Sequence, residues 1–155
     1  MRAPRSPWLV VLASSLLVTL AAAAPLPIAS VEVDSLVQRE GLDLRTTLRK
    51  QVERTLPTLD WSQAKPGTRF VLRTSVTTLD SQKVDGATRV SCVVSATLRD
   101  ARSGALKVVL EGKAQTRTGQ EIGARAQAEG QVLEAAIAGA MRSLPEAVRQ
   151  AQLGR

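Results

Sequence analysis

With 155 residues, 21 Lys+Arg against 14 Asp+Glu, no histidine, no tyrosine and one cysteine, the chain carries a formal charge of +7. Without histidine there is no Ser-His-Asp triad, no histidine-bearing metal site and no side chain that ordinarily titrates near neutrality. A single cysteine builds neither a zinc nor an iron–sulfur centre nor an internal disulfide, which leaves carboxylate chemistry and binding.

The N-terminus reads as an export signal. Arg2 and Arg5 precede an apolar run, Trp8 to Leu20 (WLVVLASSLLVTL), and Ala21 to Ala24 supply the small residues of a cleavage site. Cleavage near Ala23 or Ala24 leaves residues 25–155 as a single domain in the periplasm or outside the cell. A retained membrane anchor is the other reading, but Trp8 to Ala24 is at the short end of what a bilayer core of about 30 Å requires. No cysteine near this region supports a lipoprotein anchor. Once Arg2 and Arg5 leave with the signal, 19 basic residues face 14 acidic ones, a balance of +5, and Trp61 and Phe70 are the only aromatics. The core must then be built from Leu, Val and Ala.

After a short extended spacer at Pro25 and Pro27, Val31 and Val33 alternate with Glu32 and Asp34, which predicts a strand over about 28–34. The period then changes. Leu44, Leu48, Val52 and Leu56 fall four apart behind an N-cap at Asp43, so a helix is expected over about 43–56, stopped by Pro57. Its other side carries Arg45, Arg49, Lys50 and Arg54, either a solvated face or a contact for an anionic surface. Trp61 follows in a loop that ends in the turn Lys65-Pro66-Gly67, where it either seals the core edge or anchors a partner.

Three stretches of alternating apolar and polar residues come next, over about 69–80, 88–99 and 105–117. Phe70, Leu72, Thr74 and Val76 share one face, as do Val90, Cys92, Val94, Ala96 and Leu98, and then Leu106, Val108, Leu110, Gly112 and Ala114. Asp85-Gly86 and Asp100-Ala-Arg-Ser-Gly104 are compact hairpin turns, with Gly104 at the left-handed position. These stretches should form an antiparallel three-stranded meander, with the Cys92 thiol inside it as a small hydrophobe.

From Glu121 to Gln152 an Ala-rich helical stripe runs through Ile122, Ala126, Val132, Leu133, Ala136, Ile137, Ala140, Leu144 and Val148. Ala136, Gly139 and Ala140 keep it slim enough for close packing on a sheet, and Pro145 should kink or end the main run. Arg142, Arg149 and Arg155 gather late, where they suit a helix C-terminus. The order strand, helix, three strands, helix predicts an α+β fold, a two-layer sandwich with one sheet face covered by two helices. The first strand should pair parallel to the second.

Chemistry is sparse. The phosphate loop GxxxxGK[ST] is missing. Asp80, Asp85 and Asp100 could form an acid pair for hydrolysis or hold Ca²⁺, but aspartate is common in turns for its local backbone hydrogen bonds. The basic balance has no recognised nucleic-acid motif and hardly any aromatics to stack bases.

The stretches FVLRTSVTTL, VSCVVSATLRDARSGAL and VLEGKAQ, with the terminal LEAAIAGAMRSL, resemble small periplasmic domains of Gram-negative bacteria. These include the curli secretion-pore subunit, the lipoprotein activators of penicillin-binding proteins and the amino-terminal domain of the Tol periplasmic protein. Their D-A-x-[ST]-G turn is matched by Asp100-Ala101-Arg102-Ser103-Gly104. The lipobox cysteine and the pore hairpins of those proteins have no counterpart here. The resemblance implies an envelope accessory or scaffold domain that acts through protein contacts. The expectation is therefore a non-catalytic exported domain without cofactor or metal, with a protein partner in the envelope and no nucleic acid. A basic surface for anionic lipid or lipopolysaccharide is the alternative, and a carboxylate-dependent hydrolase comes behind both.

Overall fold

A computed structural model describes residues 26–121 and 123–154. The expected signal peptide with its cleavage point, and the roles assigned to Pro25, Ile122 and Arg155, lie outside the described residues. The elements are β1 (Ile28–Ser35), α1 (Leu44–Thr55) with a 3₁₀ turn (Leu56–Thr58), β2 (Phe70–Val84), β3 (Ala87–Asp100), β4 (Leu106–Thr118), α2 (Ala124–Arg142) and α3 (Leu144–Leu153). They make an open four-stranded sheet in the order β1-β2-β3-β4, with β1 parallel to β2 and the other pairs antiparallel. The expected α+β architecture, meander and parallel first strand are all present.

Each element follows from its local chemistry. Asp43 caps α1, its Oδ1 accepting from the Thr46 N–H at 3.0 Å and its Oδ2 from the Thr46 hydroxyl at 2.7 Å. These bonds, the side-chain one first, hold its carboxyl below the usual range. The predicted stripe Leu44, Leu48, Val52 and Leu56 is buried against the sheet in full. Asp85 and Gly86 both take positive φ, 51° and 76°, and close β2 onto β3 in two residues. At the other hairpin Asp100 Oδ1 accepts from the backbone of Arg102 and Ser103, both at 2.9 Å, and Gly104 turns at φ 69°.

Three expectations need correcting. The β2–β3 hairpin runs on to Val84 and Ala87, well past the expected end near residue 80, because the tight Asp85-Gly86 turn keeps the ladder in register through polar residues. Leu106 is 56% exposed and lies opposite Arg99, since a register shift between Leu98 and Arg99 leaves Lys107 as an extra residue and moves Leu106 off the core face. Ala126 is exposed, with Ala128 and Glu129 buried in its neighbourhood. The expected break at Pro145 is present and divides the run over 121–152 into α2 and α3, for Pro145 sits in the first turn of α3, where its missing N–H costs nothing.

The core lies between one sheet face and the helices. Its tightest contact is at Gly112, where an added Cβ would stand 1.9 Å from the Ala136 carbonyl oxygen and 2.6 Å from the Ala140 nitrogen. The slim run expected at Ala136, Gly139 and Ala140 is therefore what lets α2 lie on β4. Among the described residues no helix is long and apolar enough to cross a membrane.

Candidate functional site

The four basic residues singled out on α1 do not converge. Arg45 reaches back to β1, its Nη2 2.9 Å from Asp34 Oδ1, while Arg73 of β2 approaches Asp34 Oδ2 at 3.3 Å. The Ser35 N–H also donates to Asp34, and that bond, followed by the two arginines, holds the Asp34 carboxyl below its usual range. Arg49 stands 3.7 Å from Glu53, one turn along. Lys50 and Arg54 are exposed and make no ion pair among the described residues. At 100° per residue Lys50 points roughly 140° away from Arg45, so the four cannot face one flat surface together.

The acids are also dispersed. Asp80 and Asp85 lie toward the β2–β3 turn, whereas Asp100 pairs with Phe70 at the opposite end of the sheet. Ten residues of strand, about 33 Å, separate Asp80 from that end. Asp100 is buried and occupied by its turn. No group of three metal-ligating side chains occurs among the described residues. Cys92 is 1% exposed, and burial pushes its thiol up to about 11, the setting of a packing residue.

One polar cluster escaped the sequence reading. Glu129 of α2 is nearly buried, and its Oε1 accepts from Arg125 Nε at 3.0 Å and from the Ser81 hydroxyl at 3.1 Å, with Arg39 Nε at 3.8 Å. Arg39 also donates through Nη2 to the Leu79 carbonyl. The cluster ties the β1–α1 connector, β2 and α2 together. Glu129 sits four residues before Leu133 and seven before Ala136, on the buried stripe itself. Its spacing could have revealed it, whereas Arg39 lies in a connector with no period.

Trp61 packs partly buried against the core and donates from Nε1 to the Leu56 carbonyl at 2.9 Å, which is the sealing role. Gln152 pins the same loop by exchanging hydrogen bonds with the Lys65 backbone at 2.8 and 2.9 Å. A hollow of about 410 Å³ between Leu26, Trp61 and Pro66 lies beside it.

The extended surface left over is the sheet face turned away from the helices. Strand register arranges it in rows: Glu32, Arg73, Thr97 and Val109; Asp34, Ser75, Ser95 and Glu111; Thr78, Val93 and Lys113; Asp80, Ser91 and Gln115. None of these side chains is fully buried, and Val109 is 59% exposed. The centre is short hydroxyl side chains and valines, which keep little rotamer entropy, framed by charges at the edges. Such a face can dock a protein surface at low ordering cost.

No family model matches this sequence, and none of the curated proteins compared with it matches either. Solved structures do match. CT253 of Chlamydia trachomatis aligns with a TM-score of 0.52 at 9% identity, over 78% of this chain and 97% of that one. Rare lipoprotein B of Shewanella oneidensis gives 0.45 at 16% identity, over 81% and 99%. Protein XCC0632 of Xanthomonas campestris gives 0.48 at 13% identity over 54% of this chain, which spans about half the length of that relative. At these identities the likeness is one of fold. The matched structures include bacterial lipoproteins.

Proposed function

We propose that the chain is an exported accessory domain of the cell envelope that binds a protein through the open face of its sheet, without catalysis. The observation that carries this reading is the uncovered face itself, with Ser75, Ser95, Thr97 and Val93 at its centre. Support comes from the arginine-led apolar leader and its Ala-rich end, which read as an export signal cut near Ala23 or Ala24. The acids at Asp34, Asp43 and Asp100 already serve an ion pair, a helix cap and a turn.

Mild crosslinking in envelope extract followed by recovery of the chain tests it. A protein partner should be recovered with the wild type and fall about tenfold with Ser95→Arg, which places a long charge at the centre of the face. Recovery of the chain alone at every salt concentration, or equal recovery with the variant, contradicts the reading.

The alternative, a basic surface for anionic lipid or lipopolysaccharide on Arg45, Arg49, Lys50 and Arg54, rests mainly on Lys50 and Arg54, since Arg45 and Arg49 have acidic partners. It requires vesicle binding that weakens steeply with salt and is lost when all four become Ala.

A further inference from the structure

The register of β3 on β4 sets Arg89 directly opposite Arg117, and Gln82 of β2 completes the row. Like charges directly opposed on neighbouring strands destabilise a sheet, so such a pair calls for a counter-charge. None is in place: neither arginine forms an ion pair among the described residues, and the nearest acid on this face, Asp80, belongs to the next row, opposite Ser91. Arg73, toward the other end of the same face, shows the contrast, for it is neutralised by Asp34. Arg89 is half-buried, which deepens the cost of leaving its charge unmatched. A hollow of about 370 Å³, lined by Arg89, Gln115, Thr116 and Arg117, lies against the pair.

We infer that this hollow binds a phosphate monoester. Two guanidinium groups supply two fixed positive charges and two planar forks, which match a tetrahedral dianion. A carboxylate carries one charge and fills one fork. Gln115, two residues from Arg117 on the same face of β4, brings a neutral amide to the same hollow, so the site offers an uncharged donor as well. The site lies at the β2–β3 turn end of the sheet, away from the Ser75–Ser95 row, and does not depend on the protein-contact reading.

The test is titration calorimetry of the full chain with inorganic phosphate, alongside co-sedimentation with vesicles of phosphatidic acid, whose headgroup is a monoester, and of phosphatidylcholine. Phosphate should bind and acetate at matched ionic strength should not. Arg89→Gln and Arg117→Gln should each weaken binding about tenfold, and Arg117→Lys, which keeps the charge but loses the fork, about threefold or more. The ligand-free melting temperature of Arg117→Gln should rise by about 1–4 °C as the repulsion disappears. Binding in both arms supports the shared chemistry, vesicles alone support a lipid headgroup, and free phosphate alone supports a soluble ester. No binding in either arm, equal binding of acetate, affinity unchanged in Arg117→Gln, or no rise in its ligand-free melting temperature overturns the assignment. Should Arg89→Gln fail to fold, the two variants of the exposed Arg117 decide the matter.

Discussion

The two faces of one sheet use opposite chemistry. On the covered face the strands present Phe70, Leu72, Val76, Val90, Val94 and Leu98, all essentially inaccessible, and backbone meets backbone where α2 crosses Gly112. On the other face the same strands present Ser75, Ser91, Ser95 and Thr97 with charges at the margins, and nothing in the fold rests on them. One set of alternating residues therefore carries stability and the other is left for contact. The difference teaches where to look for function in a domain without a histidine and with one inert cysteine: on the side that the fold does not need.

That division can be broken most severely at Gly112. Gly112→Ala drives a Cβ into the α2 backbone, which cannot swing aside as a side chain would, and should cost about 3 kcal/mol in urea denaturation. Gly139→Ala, at the same contact, meets only the Gly112 Cα at an ordinary 3.6 Å, and should be neutral or add up to about 1 kcal/mol through helix propensity. If both cost the same, the close approach is not what fixes the helix. Next comes Glu129→Ala, which removes the hydrogen-bond acceptor of Arg125 and Ser81 and the counter-charge of Arg39. Discounted for the partial exposure of the arginines, it should destabilise by about 2 kcal/mol. Smallest is Ser95→Arg on the open face, expected within about 0.5 kcal/mol of wild type in the same denaturation series. A large loss there would mean that the open face also carries stability.

Much of this division was legible in the sequence, because a half-buried strand must alternate and a covering helix must repeat near four. Leu44, Leu48 and Val52 on α1 with Leu56 just beyond it, and Val132 to Val148 on the later helices, were readable for that reason. Asp85-Gly86 and Gly104 were readable because few residues take positive φ. Features that depend on pairing were not readable. The shift that exposes Leu106 is a property of β3 and β4 together, as the irregularity between Val76 and Thr78 is of β2 and β3. Likewise, Arg45 and Arg49 look like free cations along the chain and are claimed by Asp34 and Glu53 only once the helix is placed. The opposition of Arg89 and Arg117 exists only in the register.

The two readings of the surface make different claims about which side of the molecule meets its partner. A photo-crosslinking amino acid introduced at Ser95, and in a second strain at Arg54 on the exposed side of α1, reports that directly in living cells. The account predicts a discrete protein adduct from position 95 that is absent from position 54. An adduct from position 54 alone, or none from position 95, would contradict it.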